Sequence, residues 1–311
     1  MRDRSRARRA LTAAASLTAA VALTATGCSG GSDGAQESGG NGVGKTSTQA
    51  EKQAKRPSPK PSPAWNKRPD SLAALGDSIT RGFDACGLLT DCPKVSWATG
   101  TDPKVDSLAR RLLRAPEKQS WNFARTGARV SDLQGQADAA IAHKPQLVTI
   151  LIGANDACRT TTAGMTAVGT FRTTFAASLQ EIRRKLPKTQ VYVSSVPDLQ
   201  RLWQVGKGNP MTKQIWKLGI CQSMLQSPDA TDQASVNRRT MVRQRVIAYN
   251  QVLKEECAKV RLCVYDGGAA FDFDFTSRHL SKWDFFHPNT SGQHTLAEIA
   301  FKRIERGRPG A

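Results

Sequence analysis

The stretch 72-LAALGDSITRG-82 decides how the chain reads. Residues 72–75 form an apolar run of strand length, the mark of a buried strand. Gly76 breaks the run, and Asp77 and Ser78 are both favoured helix N-cap residues. A polar side chain at such a junction either caps the helix or projects a reactive group from the sheet edge. Both readings of Ser78 stay open on these residues alone. The choice depends on what the rest of the chain can bring beside it.

Further apolar runs of strand length follow at 120–124, 147–153, 190–196 and 260–266. Helix-like stretches separate them, at 106–115, 130–143, 168–186 and 238–259, and a last one at 291–306 closes the chain. This alternation predicts an α/β fold with a parallel sheet covered on both faces. Ligands of such sheets bind at the carboxyl ends of the strands. "GDSIT" follows the first strand, "NFARTGAR" the second and "GANDAC" the third, and "KWDFFHPNTSGQH" precedes the last helix. All four would lie along one edge. No internal repeat is visible.

The N-terminal part is a different kind of sequence. Arg2, Arg4, Arg6, Arg8 and Arg9 precede an apolar stretch rich in Ala, Leu and Thr, the layout of an export signal over 1–27. Arg8–Arg9 resembles a twin-arginine pair in part. "ATGC" before Cys28 resembles a lipoprotein box, which would make Cys28 a lipidation site and associate the chain with a membrane. An ordinary secreted protein with a stray Cys is the alternative. Residues 28–69 hold Gly, Ser, Gln, Lys and Pro with little to bury, and read as a linker with a reach of about 35 Å. Net charge is +19, of which residues 1–69 carry +8, leaving +11 on the remainder. The basic residues are scattered rather than clustered with aromatics, so a nucleic-acid partner is not expected. A monomer outside the cell is.

Setting Cys28 aside, six Cys remain, an even set that implies disulfides in an exported chain. Cys86 and Cys92 flank a short loop, as do Cys257 and Cys263, and exclusion leaves Cys158 with Cys221. There is no CxxC and no His close to a Cys pair, so no metal site is expected.

Serine-based ester hydrolysis needs a hydroxyl, a base, an orienter for the base and donors for an oxyanion. The chain has four His. His294 lies inside a predicted helix and reads as structural. His143 ends one, where a cation suits the helix dipole. His287 has Asp284 three residues before it, a spacing that can bring a carboxylate to the second ring nitrogen. Asn155, just after the third strand, can offer a side-chain amide to an oxyanion. Gly127 can let a backbone N–H approach the same oxygen. Taken singly, each could be an ordinary turn, cap or loop residue.

Together and in this order, "GDS", "RTGARVSDL", "GAND" and "DFFH" resemble the four blocks of the SGNH (GDSL-type) hydrolase family. Ile79 departs from the Leu of the namesake motif. The resemblance runs over almost all of 70–308. It implies a flavodoxin-like three-layer α/β/α fold with a five-stranded parallel sheet. It also implies Ser78 as nucleophile, His287 as general base and Asp284 as its orienter. The oxyanion hole would be the N–H groups of Ser78 and Gly127 with the Asn155 side chain. No cofactor is implied.

"GANDACR" and the segment after the fourth strand resemble the phospholipase B-like and actinobacterial lipase branches. Leu202, Trp203, Ile215, Trp216, Leu218 and Met224 in that segment could line an acyl groove or form a satellite core. The expected activity is a serine carboxylester hydrolase for lipid or other hydrophobic acyl esters. The alternatives are a carbohydrate O-acetyl esterase and a catalytically silent, surface-anchored binding protein.

Overall fold

A computed structural model describes residues 64–307. The expected export signal, most of the linker and Cys28 lie outside the described residues. Five strands form one sheet: β1 (Leu72–Gly76), β2 (Ser120–Asn122), β3 (Leu147–Leu151), β4 (Gln190–Val193) and β5 (Cys263–Tyr265). Their order is β2-β1-β3-β4-β5 and every neighbouring pair is parallel. This is the flavodoxin-like order, whose direction reverses between β1 and β3. β1 and β3 are in register from Leu72↔Leu147 to Gly76↔Leu151.

Helices α1 (Ser78–Arg81), α2 (Leu108–Leu112) and α3 (Pro116–Gln119) lie between β1 and β2, and α4 (Leu133–Ala142) between β2 and β3. α5 (Ala154–Ala157) and α6 (Val168–Lys185) follow β3. α7 (Leu199–Gly206), α8 (Pro210–Trp216), α9 (Gln222–Leu225) and α10 (Gln233–Ala258) follow β4, and α11 (Ala269–Asp272) and α12 (Thr290–Arg306) follow β5. The β1-to-β2 connection crosses the sheet one way and the later connections cross it the other. Right-handed crossovers therefore put α4, α6 and α10 on one face and α2 on the other. The packing agrees: α6 lies against α4 and α10, and α12 lies beside α2. The expected three layers are present.

The elements follow their sequence. α6 buries Phe171, Phe175, Leu179 and Ile182, spaced as one face of a helix. β1 and β3 are buried at every position, as continuous apolar runs between two helical layers should be. Each of Leu72, Leu75, Ile150 and Leu151 contributes roughly 1.5–3 kcal/mol on burial.

Some boundaries differ from expectation. The helix read over 106–115 is only Leu108–Leu112, because Asp106 has a positive φ, Ser107 caps the start, and Leu113 is already extended. The helix read from 238 begins at Gln233, where the Asp232 side chain accepts the Ser235 N–H. Residues 64–69, read with the linker, already belong to the folded unit. The Trp65 indole donates to the Ile304 carbonyl at 3.0 Å, and Gln190 Nε2 to the Asn66 carbonyl at 2.8 Å. The disulfides are Cys86–Cys92, Cys158–Cys221 and Cys257–Cys263, as expected. Among the described residues, no helix is long and apolar enough to cross a membrane.

Candidate active site

The site begins where β1 ends. Gly76 has φ +149°, and a Cβ there would lie 2.3 Å from the Leu151 carbonyl oxygen of β3. Only glycine lets the two strand ends approach so closely. Asp77, not Ser78, is the N-cap of α1: its Oδ1 accepts the Ile79 N–H at 3.0 Å. Ser78 is thus the first helical residue, and its hydroxyl is free of capping duty. It lies 2.9 Å from His287 Nε2. What the fold brings beside Ser78 is thus a histidine 209 positions away.

His287 is presented by a loop closed on itself. Leu280 and Pro288 form an antiparallel bridge, the Ser281 N–H donates to the His287 carbonyl at 2.8 Å, and Phe285 takes φ +51°. Inside it, Asp284 Oδ1 accepts the N–H groups of Phe286 (2.9 Å) and His287 (3.0 Å), and Oδ2 is hydrogen-bonded to His287 Nδ1. A carboxylate can only accept, so Nδ1 carries the proton and Nε2 of the neutral ring can accept from Ser78. Burial pulls the imidazole down, but the Asp284 charge, its hydrogen bond, and the charges of Asp77 and Asp84 outweigh it and hold His287 above 6.5. Burial pushes Asp284 up, but His287 and the two loop N–H groups hold it below its ordinary value.

The other expected residues meet on the β2 and β3 ends. Gly127 is the third residue of a turn closed by Ala128 N–H to Arg125 C=O at 3.0 Å, with φ +82°. A Cβ on Gly127 would have no neighbour within 4 Å, so this backbone faces open space. The Asn155 side-chain amide donates to the Ala128 carbonyl at 3.0 Å, which ties α5 to that turn. Its second N–H remains to donate. The sheet register places the ends of β1 and β3 side by side.

His294 and His143 are accounted for elsewhere. His294 Nδ1 bonds the Val105 carbonyl at 2.9 Å, and His143 packs on Trp121 and Phe123. His279 Nδ1 accepts the Thr276 N–H at 3.1 Å.

Three residues around the site have roles there that the sequence reading did not foresee; Trp216 was read only as a groove or core residue. Asp156, fully buried, accepts the Val130 N–H at 2.9 Å and the Thr166 hydroxyl at 2.7 Å, and so fastens the Gly127 segment to the end of β3. Its place beside Asn155 in "GAND" was a usable signal. Trp216 of α8 donates its indole N–H to the Asp284 carbonyl at 2.9 Å. Asp84 is buried beside Asp284 and His287. Neither Trp216 nor Asp84 carried a local signal of its role.

Of the apolar residues in the segment after β4, Leu202, Trp203, Trp216, Met224 and Leu225 are buried in the main core, and Leu218 is exposed. The segment therefore packs chiefly into the main core, and it is fastened to the Asn155 helix. Besides Cys158–Cys221, the Ser223 N–H donates to the Arg159 carbonyl at 2.7 Å and the Ser223 hydroxyl to the Ala157 carbonyl at 2.7 Å.

Several solved structures are similar to this chain in part. An acetyl xylan esterase from Geobacillus stearothermophilus, in a substituted form, is 20% identical with a TM-score of 0.48 over 79% of this chain and 100% of its own. Phospholipase A1 from Streptomyces albidoflavus is 20% identical with a TM-score of 0.45 over 75% of this chain and 98% of its own. An alpha/beta hydrolase enzyme from the metagenome of Lake Arreo is 18% identical with a TM-score of 0.47, over 78% and 98%. A comparison with curated proteins yields no match. The model of the GDSL-like lipase/acylhydrolase family matches residues 74–295, well over half of the chain, and the protein belongs to that family.

Proposed function

We infer that the protein is a serine carboxylester hydrolase with Ser78 as nucleophile. The observation that carries this is the unbroken chain Ser78 Oγ, His287 Nε2, His287 Nδ1, Asp284 Oδ2. Ser78 Oγ attacks the ester carbonyl carbon while His287 Nε2 takes its proton. The Asp284 carboxylate stabilises the imidazolium so formed. The carbonyl oxygen, now charged, is met by the N–H groups of Ser78 and Gly127 and by Asn155 Nδ2. His287 returns its proton to the departing alkoxide, leaving an acyl-Ser78 ester. Water activated by His287 then releases the acid and restores Ser78.

The substrate is a lipid or other hydrophobic acyl ester. Phe83 meets the His287 ring edge to face at 5.0 Å, and Leu88 and Leu89 stand exposed on the Cys86–Cys92 loop that follows it. A second reading, an O-acetyl esterase acting on polysaccharide, is favoured by one observation: the apolar side chains after β4 go mainly into the core and leave few for a long acyl groove. We also read the chain as exported and anchored through Cys28. The three disulfides support export.

The test is fluorophosphonate labelling, with hydrolysis of p-nitrophenyl esters of increasing chain length beside phospholipid and acetylated xylan. Ser78 should be labelled, Ser78→Ala should abolish turnover with the fold intact, and longer acyl chains should be preferred. Wild-type turnover by Ser78→Ala would exclude the nucleophile. Hydrolysis confined to acetyl esters would select the second reading.

A further inference from the structure

Asp84 is a buried acid that the reaction above leaves unused. It lies just beyond α1, 1% exposed, with φ +56°. Its backbone is fixed on both sides: the N–H donates to the Thr90 carbonyl at 2.9 Å, and the carbonyl accepts the Ser281 hydroxyl at 2.7 Å. Ser281 thus ties Asp84 to the loop that presents Asp284 and His287. The side chain, by contrast, has no donor at either carboxyl oxygen. What it has is one oxygen within 4.8 Å of both a carboxylate oxygen of Asp284 and a ring nitrogen of His287.

An ionised carboxylate buried without a donor is strongly disfavoured, and two carboxylates this close oppose each other's ionisation. One proton removes both difficulties. It turns Asp84 from an orphan acceptor into a donor, and the nearby acceptor is Asp284. Asp284 Oδ1 and Oδ2 already hold two loop N–H groups and His287 Nδ1, so a donor from Asp84 would complete the set that fixes this carboxylate.

We propose that Asp84 is a positioning residue of the triad, sharing a proton with Asp284 and thereby orienting that carboxylate and tempering its pull on His287. The proposal rests on the functional reading above. Burial pushes the Asp84 carboxyl up to about 6, and the Asp284 charge and hydrogen bond add to it, against the smaller downward pull of the His287 charge and the Leu89 N–H. The charged groups facing the set are Asp77 at the start of α1, whose carboxyl burial lifts to about 7, and Lys282 at the rim beside Asp84. Asp84, Asp284 and His287 then titrate together. Loss of one proton leaves either Asp84 charged and His287 still imidazolium, or Asp84 neutral and His287 free to act as a base. Only the second form is active, so competition from the first delays and broadens the appearance of activity as pH rises.

The experiment compares wild type with Asp84→Asn and Asp84→Ala. One readout is the pH profile of kcat/KM on a p-nitrophenyl ester. The other is the NMR titration of the His287 imidazole, which needs no turnover. Asn accepts a positive φ and keeps an N–H donor, but cannot ionise. With Asn, the acid limb and the imidazole midpoint should both fall by about one pH unit and sharpen to a single ionisation. With Ala, the midpoint should fall likewise, and the plateau kcat should drop on the order of tenfold through loss of positioning. Asn should recover most of that drop. The proposal is overturned if the His287 midpoint is the same in wild type and the Asn variant, or if Asn and Ala lose kcat equally. It is also overturned if a chelator abolishes wild-type activity and a divalent cation restores it, since a metal would then neutralise the pair. Hydrolysis by Ser78→Ala would sink the functional reading instead, and the imidazole titration would still decide the role of Asp84.

Discussion

Asp284→Asn should separate the two jobs of this carboxylate. Asn can keep Oδ1 on the N–H groups of Phe286 and His287, which lie 2.9 and 3.0 Å from it, so the loop should survive. At the Oδ2 position, however, an amide NH₂ would face His287 Nδ1. A donor there drives the ring proton to Nε2, where it points at Ser78 and blocks the base. In a chymotrypsin-type triad the corresponding change costs about 10⁴ in kcat, or about 5 kcal/mol. The second effect is on pH. Activity needs neutral His287, so in wild type kcat/KM should rise with pH through a midpoint above 6.5. After burial, which lowers the imidazole pKa, the Asp284 charge is the largest influence, and it acts upward. Removing it leaves burial opposed only by Asp77 and Asp84, and the midpoint should fall by about 1–3 units. The assay is kcat/KM on a p-nitrophenyl ester from acid to alkaline pH, with thermal unfolding to confirm the fold. A variant with wild-type rate and midpoint would mean that Asp284 neither orients nor charges His287, leaving a Ser78–His287 dyad.

Asn155→Ala should lower kcat by about 10²–10³-fold with little change in KM, the usual loss for one oxyanion donor; a rise in KM alone would make Asn155 a binding residue. Trp216→Phe removes the indole N–H from the buried Asp284 carbonyl and should cost about 1–3 kcal/mol in denaturant unfolding. Unchanged stability would mean that the segment after β4 does not buttress the triad loop. Paired Ser substitution of Cys158 and Cys221, which close a separation of 63 residues, should cost about 4 kcal/mol in the chain-entropy model. Non-reducing peptide mapping of the exported protein should recover this linkage with the two short-loop ones, and any cross-pairing would refute it.

Much of the fold was legible because its parts announce themselves locally. The runs that became β1 and β3 are near-continuously apolar, with Thr149 the one polar side chain, and only a strand buried on both faces needs that. β2, β3, β4 and β5 were each read too long, because apolar or small residues run on beyond the paired positions of the strand. In the candidate site, Ser78, Asn155, Asp284 and His287 were readable because the chemistry restricts their type and their motifs restrict their order. Asp84 and Trp216 were not. Asp84 meets Asp284 across 200 positions and looks, in "GFDACG", like any loop acid. Trp216 looks like any core aromatic until its N–H finds a carbonyl 68 positions away. Residue type shows what a side chain can do, whereas only the packed fold shows what it faces.

The distribution of buried acids indicates where stability yields to chemistry. Among the described residues, six Asp and Glu are buried: Asp77, Asp84, Asp156, Glu256, Asp266 and Asp284. Two of them are well supplied. Glu256 is paired with Arg172 and Lys259, and Asp266 accepts from the N–H groups of Ser195, Gly268 and Ala270 and from the Ser195 hydroxyl. The carboxyl oxygens left without a donor belong to Asp77 and Asp84, on either side of α1. An apolar residue in place of Asp84 would remove an unpaired buried polar group that costs about 1–3 kcal/mol. Asp77 and Asp84 both lie near His287, and each, when ionised, favours its protonated form. In the proposed reaction, His287 is protonated each time Ser78 attacks. A site with underbonded acids around its base holds a field ready for that imidazolium, at the expense of the resting fold.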